Sequence, residues 1–131
     1  MRLFKLASFL MSLLICTNAY AEWTEIGKSS DTTIYVEYSR SKFDKNTADA
    51  WMKFKLQKIK TLPNNVKTNS MVVRIAVICD QNKIMYQFVE HRLDDKFVYS
   101  SENPSKEYEE TVPGSENDGV LKLLCGIGQN R

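Results

Sequence analysis

The residues of this 131-residue chain that could do chemistry are one histidine, three cysteines and a group of carboxylates. His91 lies between Glu90 and Arg92, and no serine or cysteine nucleophile pattern accompanies it. Nucleophilic catalysis needs a nucleophile beside a base that a third group orients. We therefore interpret His91 as an ordinary exposed histidine rather than as a pH-responsive or metal-binding residue.

The carboxylates cluster at Glu107, Glu109 and Glu110. The cluster lacks the apolar surroundings that raise the pKa of a catalytic acid. Its spacing also differs from the D-x-D-x-D-G pattern of a calcium loop, and the chain has no glycine-rich phosphate loop. The sequence therefore predicts a protein that is not an enzyme and that holds no metal ion or cofactor.

The first 21 residues have the pattern of a secretory signal peptide. Arg2 and Lys5 begin it, and residues 6–15 are an apolar run of about ten residues, too short to span a membrane as a helix. Residues 19–21, Ala-Tyr-Ala, supply the small residues of a cleavage site. We expect cleavage after Ala21; the alternative is an uncleaved membrane anchor.

Cys16 gives this segment a second interpretation. Residues 13–16, Leu-Leu-Ile-Cys, resemble a lipoprotein box, in which the cysteine is acylated, but the bulky Ile15 stands where that box has a small residue. We expect Cys16 to leave with the signal. The protein is then exported, and it is either periplasmic or secreted to the cell surface. An acylated Cys16 would instead anchor it to a membrane.

Two cysteines, Cys79 and Cys125, remain in the 110 residues after Ala21. An even pair in an oxidising compartment predicts a disulfide, and neither cysteine has the companion ligands of a zinc site. In the chain-entropy model, a closed loop of about 46 residues stabilises a domain by about 4 kcal/mol. The remaining length, from Glu22 to Arg131, suits one domain.

The domain after Ala21 has equal numbers of basic and acidic residues, but they are concentrated in different stretches of the chain. The whole chain has a formal net charge of +2, and because Arg2 and Lys5 lie in the predicted signal, the rest has 16 basic and 16 acidic residues. This balance argues against nucleic acid as the partner. Residues 40–74 contain nine basic and two acidic residues, whereas residues 94–118 contain eight acidic and two basic ones. These stretches are solvated surface, a surface that steers an anionic partner, or a head-to-tail contact between copies.

Hydrophobic patterning predicts an α+β fold, an antiparallel β-sheet of about six strands with a C-terminal helix packed on it. The clearest strand is at residues 47–59, where apolar and polar side chains alternate. Residues 71–79 are apolar on both faces except at Arg74, which predicts a central strand covered on both sides. Residues 39–46 are polar apart from Phe43 and are predicted to form a loop or a single helical turn.

The final element is a helix that carries Cys125. Ser115 is a suitable N-cap, Asp118 lies where the helix dipole favours negative charge, and Gly126 can end the helix. Cys125 lies on the apolar stripe of this helix, and Cys79 lies at the end of the central strand. The disulfide would therefore tie the helix to the sheet.

Trp51, Lys53 and Lys55 lie on the polar side of the strand predicted at residues 47–59. An exposed tryptophan flanked by lysines can pack on a sugar or on a partner's side chain, or it can cover a second sheet edge or a helix. With Lys58 and Lys60, these residues form the candidate partner-binding surface of the sequence.

Several short segments carry a family resemblance. They are residues 21–27 (AEWTEIG), 31–36 (DTTIYV), the strand around Trp51, residues 77–80 (VICD), 112–115 (VPGS) and 124–126 (LCG). In this order they resemble the surface-adhesin protein E family of Gram-negative bacteria. The resemblance implies an antiparallel sheet closed by a C-terminal helix and the disulfide. The named family member is a surface lipoprotein that binds host matrix and plasma glycoproteins.

Two functions follow as expectations. The first is an exported, adhesin-like binding protein whose basic strand face meets host matrix proteins, plasma proteins or an acidic polysaccharide. The second is a soluble periplasmic accessory protein with no host ligand, which associates with copies of itself. Neither expectation includes a transmembrane segment after Ala21.

Overall fold

The computed structural model describes residues 22–101 and 107–130, which form one antiparallel sheet and one helix. The strands are β1 (Thr24–Lys28), β2 (Thr32–Phe43), β3 (Thr47–Thr61), β4 (Lys67–Ile78), β5 (Lys83–Leu93), β6 (Lys96–Ser100) and β7 (Glu109–Glu110), and the helix is α1 (Glu116–Gln129). The first six strands pair in chain order, and β7 pairs with β5 beyond the end of β6. The predicted α+β fold is confirmed.

Short turns allow each strand to pair with the next one in the chain. Leu93 pairs with Lys96, and the two residues between them, Asp94 and Asp95, both have positive φ angles of 50° and 64°. Asn65 and Asn82 have positive φ angles in other turns. Asparagine and aspartate tolerate this left-handed conformation better than other side chains, which is why these turns reverse the chain where they do.

The core lies between α1 and one face of the sheet, here called the covered face. The buried apolar residues of this cluster are Val36, Phe43, Ala48, Ala50, Met52, Val73, Ile75, Val77 and Ile84 of the sheet and Val120, Leu121, Leu124 and Cys125 of the helix. The disulfide joins Cys79, directly after β4, to Cys125 of α1, with their Cα atoms 6.0 Å apart. The predicted tie between helix and central strand is confirmed.

The helix begins as predicted but ends later. The Ser115 hydroxyl accepts a bond from the backbone N–H of Asp118, and the Asp118 carboxylate accepts bonds from Thr111 and from the backbone N–H of Gly114. The expected end at Gly126 is wrong, because α1 continues to Gln129. Its last turn packs closely on the turn after β2: a Cβ at Gly128 would lie 2.2 Å from the carbonyl oxygen of Asp44.

Two other expectations are wrong. Residues 39–43 belong to β2 rather than to a loop, since Phe43 pairs with Ala48 and packs in the core, 5.7 Å from the ring of Tyr38. The central strand β4 is covered by α1 on one side only, and no described helix or strand packs over its other side. There, Val72 and Ala76 are still only 3% and 4% exposed, because longer side chains of neighbouring strands surround them.

Candidate functional site

The side of the sheet away from α1, here called the helix-free face, carries the candidate residues. Directly paired residues of antiparallel strands point to the same face, so the register shows which side chains share this surface. They include Tyr35 and Glu37 of β2, Asp49, Trp51, Lys53 and Lys55 of β3, Arg74 of β4, and Phe88, Glu90 and Arg92 of β5. The alternation of β3 predicted from the sequence therefore places Trp51, Lys53 and Lys55 together.

Trp51 lies at the centre of this face and is partly buried. Its ring centroid is 5.4 Å from that of Phe88, with the planes tilted by 55°. The guanidinium of Arg40 lies 4.6 Å from the indole centroid and that of Arg74 lies 5.9 Å from it. The cations nearest the Trp51 ring are thus two arginines rather than the lysines of β3.

Each arginine is fixed by a carboxylate. Arg74 donates from Nε and Nη2 to the two carboxylate oxygens of Asp49, at 3.0 and 2.9 Å. This hydrogen bonding, with the negative charge of Asp49, raises the pKa of Arg74. Arg40 donates from Nε to Glu37 at 2.7 Å, and its Nη2 contacts the same oxygen. The Arg40 and Arg74 side chains are still 50% and 44% exposed, so both cations reach solvent.

The two lysines extend the surface beyond Trp51. The ammonium of Lys53 lies 5.1 Å from the ring centroid of Tyr35 and 5.4 Å from that of Trp23. These distances fall within the range of cation–π attraction. Lys55, two residues further along β3, is exposed. Neither lysine forms an ion pair with another described residue.

Sequence reasoning missed five residues of this surface: Trp23, Tyr35, Arg40, Arg74 and Phe88. Arg74 was noted only as an interruption of an apolar run. Its register partners are Trp51 on one side and Phe88 on the other. The sequence predicts which side chains of one strand share a face, but irregular pairings between β2 and β3 and between β4 and β5 shift the register of neighbouring strands. The chain gave no local signal for these shifts.

The residues considered for catalysis and metal binding are not brought together. The expectation of an exposed His91 is wrong, because its side chain is partly buried and stacks on Tyr99, with ring centroids 6.0 Å apart. Burial lowers the pKa of His91, and the nearby charge of Lys60 lowers it further. Glu109 and Glu110 are exposed in β7. Within residues 22–101 and 107–130, no group of three or more histidine, cysteine, aspartate or glutamate side chains could hold a metal ion.

Two findings concern membrane-spanning helices and the predicted signal peptide. In the part of the chain that the structure describes, no helix has both the length and the apolar character needed to cross a membrane. The predicted signal peptide, its cleavage after Ala21 and the expectation for Cys16 lie outside the described residues.

Comparison with known proteins identifies one family. A family model described as surface-adhesin protein E matches residues 23–126, which include every residue of the helix-free face and both cysteines of the disulfide. None of the curated proteins and none of the solved structures compared with the chain matches it.

Proposed function

This chain belongs to the surface-adhesin protein E family, and we propose that it is an exported binding protein whose helix-free face contacts host matrix or plasma glycoproteins. The observation that carries the proposal is the set of solvent-reaching cations held over aromatic rings: Arg40 and Arg74 at Trp51, and Lys53 at Tyr35 and Trp23.

The composition of this face supports a role in protein recognition. Tryptophan, tyrosine and arginine are the residues that most often dominate binding energy at protein interfaces. The ion pairs of Arg40 with Glu37 and of Arg74 with Asp49 hold both guanidinium groups in place. Because these side chains are already ordered, they would lose less conformational entropy when a partner binds than free side chains would.

The charge of this face supports an acidic partner surface. Lys53 and Lys55 have no ion pair among the described residues, so their positive charges remain available. Acidic groups of a glycoprotein, on its protein or on its sugar chains, would complement them. Binding through such exposed charges weakens as salt rises.

Export is part of the same proposal. We infer that residues 1–21 are a signal peptide, that cleavage follows Ala21 and that Cys16 leaves with it. The Cys79–Cys125 disulfide supports an oxidising destination. An intact mass of the native protein tests this: a chain that starts at Glu22 and lacks two hydrogens is expected, whereas a mass that includes an acylated Cys16 would overturn the cleavage site.

Charge reversal tests the binding surface. We expect the wild-type protein to bind at least one of a set of immobilised matrix and plasma glycoproteins. The variant Lys53→Glu/Lys55→Glu should weaken that binding by roughly tenfold or more, which corresponds to about 1.4 kcal/mol. Heparin, an acidic polysaccharide, is included to separate recognition of sugar charge from recognition of protein.

A matched control is Lys45→Glu/Lys96→Glu, which makes the same charge change at two exposed positions outside the helix-free face. It should bind like the wild type. Equal loss in both double variants would mean that only net charge matters, and unchanged binding in Lys53→Glu/Lys55→Glu would remove the proposed surface. A protein that binds no member of the set would instead fit the periplasmic accessory role.

A further inference from the structure

A second candidate site lies on the covered face, beyond the part that α1 covers. It is a shallow cleft of about 320 Å³, here called the Tyr99 cleft. The turn between β3 and β4 forms one wall, with Pro63 and Asn64. Val89 and His91 of β5 lie along the cleft, and Tyr99 of β6 forms the other wall. None of the described residues that line it belongs to α1.

The cleft offers an aromatic platform. Tyr99 is 37% exposed, and its ring stacks on that of His91 with an angle of 28° between the planes. Pro63 and Val89 add apolar surface beside the rings. A ring with apolar C–H groups on one face can pack against such a platform, because the face of an aromatic ring carries partial negative charge.

The cleft also has unused hydrogen-bonding groups. His91 Nδ1 has no hydrogen-bond partner in the structure but is closed to solvent, so the polar groups that can meet a ligand are those of Asn64 and Ser101. The Asn64 side-chain oxygen accepts a bond from the backbone N–H of Val66, at 3.3 Å, so its amide N–H donors remain for a ligand. Ser101, at the edge of the cleft, supplies a hydroxyl group.

We propose that the Tyr99 cleft binds one neutral pyranose ring, such as the terminal hexose of a glycan. A pyranose combines an apolar C–H face with hydroxyl groups that both donate and accept, which matches an aromatic platform bordered by amide and hydroxyl groups. No lining residue carries a permanent charge that could pair with the carboxylate of an acidic sugar, and Lys60, whose charge acts on His91, lies outside the lining. The volume is at the low end for ligand sites and suits one ring.

This site is separate from the helix-free face and does not depend on it. Paired residues show the separation: Val89 pairs with Val73 of the core, and His91 pairs with Met71, which packs against the core. Trp51 and Arg74 point to the opposite side of the same sheet. A sugar at the Tyr99 cleft would therefore leave the helix-free face open to a second partner.

Saturation-transfer difference NMR on the purified native protein tests the proposal. The probes are glucose, galactose, mannose and N-acetylglucosamine, with glucuronate and N-acetylneuraminate as acidic sugars. We expect signals from at least one neutral sugar and weaker ones from both acidic sugars. Tyr99→Ala should weaken binding by at least about tenfold, and Asn64→Ala should weaken it without any change to the sheet.

Phe97→Ala is the matched control, since Phe97 is an aromatic residue of the same strand that is 61% exposed and lies outside the cleft. It should bind sugar like the wild type, and so should Lys53→Glu/Lys55→Glu. Absence of a signal from every sugar, stronger signals from the acidic ones, or binding that survives both Tyr99→Ala and Asn64→Ala would overturn the proposal.

Discussion

The two faces of this sheet differ in what their side chains contact, and neighbouring residues of β3 show the difference. Met52 is fully buried against the helix side of the sheet. Trp51 and Lys53, on either side of it in the chain, contact aromatic and arginine side chains of the helix-free face. The helix and the disulfide cover part of one face, whereas no described helix packs on the helix-free face.

The largest effect is expected where the covered face loses core volume. Met52→Ala should destabilise the protein by about 2–5 kcal/mol, because it leaves a cavity among residues that cannot fully close it. Lys53→Ala, one residue along the strand, should change the free energy of unfolding by less than about 0.5 kcal/mol. Urea unfolding measures both. Equal losses would contradict the division of roles between the faces.

A smaller effect is expected at the last turn of α1. Gly128→Ala should destabilise the protein by about 1–3 kcal/mol, because the new methyl group would meet the Asp44 carbonyl. Gly126→Ala meets nothing within 4 Å and should stabilise the helix by up to about 1 kcal/mol, since alanine favours helix more than glycine. If the last turn of α1 packs on Asp44, the melting temperature should fall for Gly128→Ala and should rise for Gly126→Ala.

On the helix-free face, a smaller stability effect is expected from the ion pair of Arg74 with Asp49. The pair is partly exposed, so its coupling in a double-mutant cycle of Asp49→Ala and Arg74→Ala should be about 0.2–1 kcal/mol. A coupling of several kcal/mol would mean that this face contributes to the fold as strongly as the covered face does.

The smallest effect is expected from protonation of His91 beside the Tyr99 cleft. Its pKa is lowered in the folded protein, chiefly by burial and also by Lys60. The folded state then binds fewer protons than the unfolded state just below the ordinary pKa of 6.5. The stability that neutral His91 contributes should therefore be fully present above that pH, and it should be lost as the pH falls toward the lowered pKa of His91 in the folded protein.

The variant His91→Gln removes this contribution, so its stability should change less than that of the wild type between pH about 7.5 and about 5.5. Unfolding by urea at the two pH values measures the difference. Parallel losses in wild type and variant would show that another group causes the pH dependence.

Local signals in the sequence predicted much of the fold. The alternation of β3 reports which side chains share a face, because the side-chain period of a strand depends only on its own backbone. The even cysteine count predicted the Cys79–Cys125 disulfide. Ser115 predicted the start of the helix, because the N-cap bond to Asp118 forms within a few residues.

Features that depend on contacts between distant segments were not predicted. Phe43 continues β2 because it pairs with Ala48 and enters the core, although its neighbours in the sequence are polar. Gly126 suggested a helix end, whereas α1 continues to Gln129 and Gly128 allows close contact with Asp44. Phe88 contacts Trp51 because the β3–β4 and β4–β5 registers pair both residues with Arg74.

Lysine labelling tests most directly whether the helix-free face binds. The protein is acetylated briefly, alone and bound to a host glycoprotein, and the extent of modification of each lysine is read by mass spectrometry. We expect Lys53 and Lys55 to become protected in the complex, while Lys122 of α1, whose side chain is 72% exposed, reacts as before. Protection of Lys122 with unchanged labelling of Lys53 and Lys55 would contradict binding through the helix-free face.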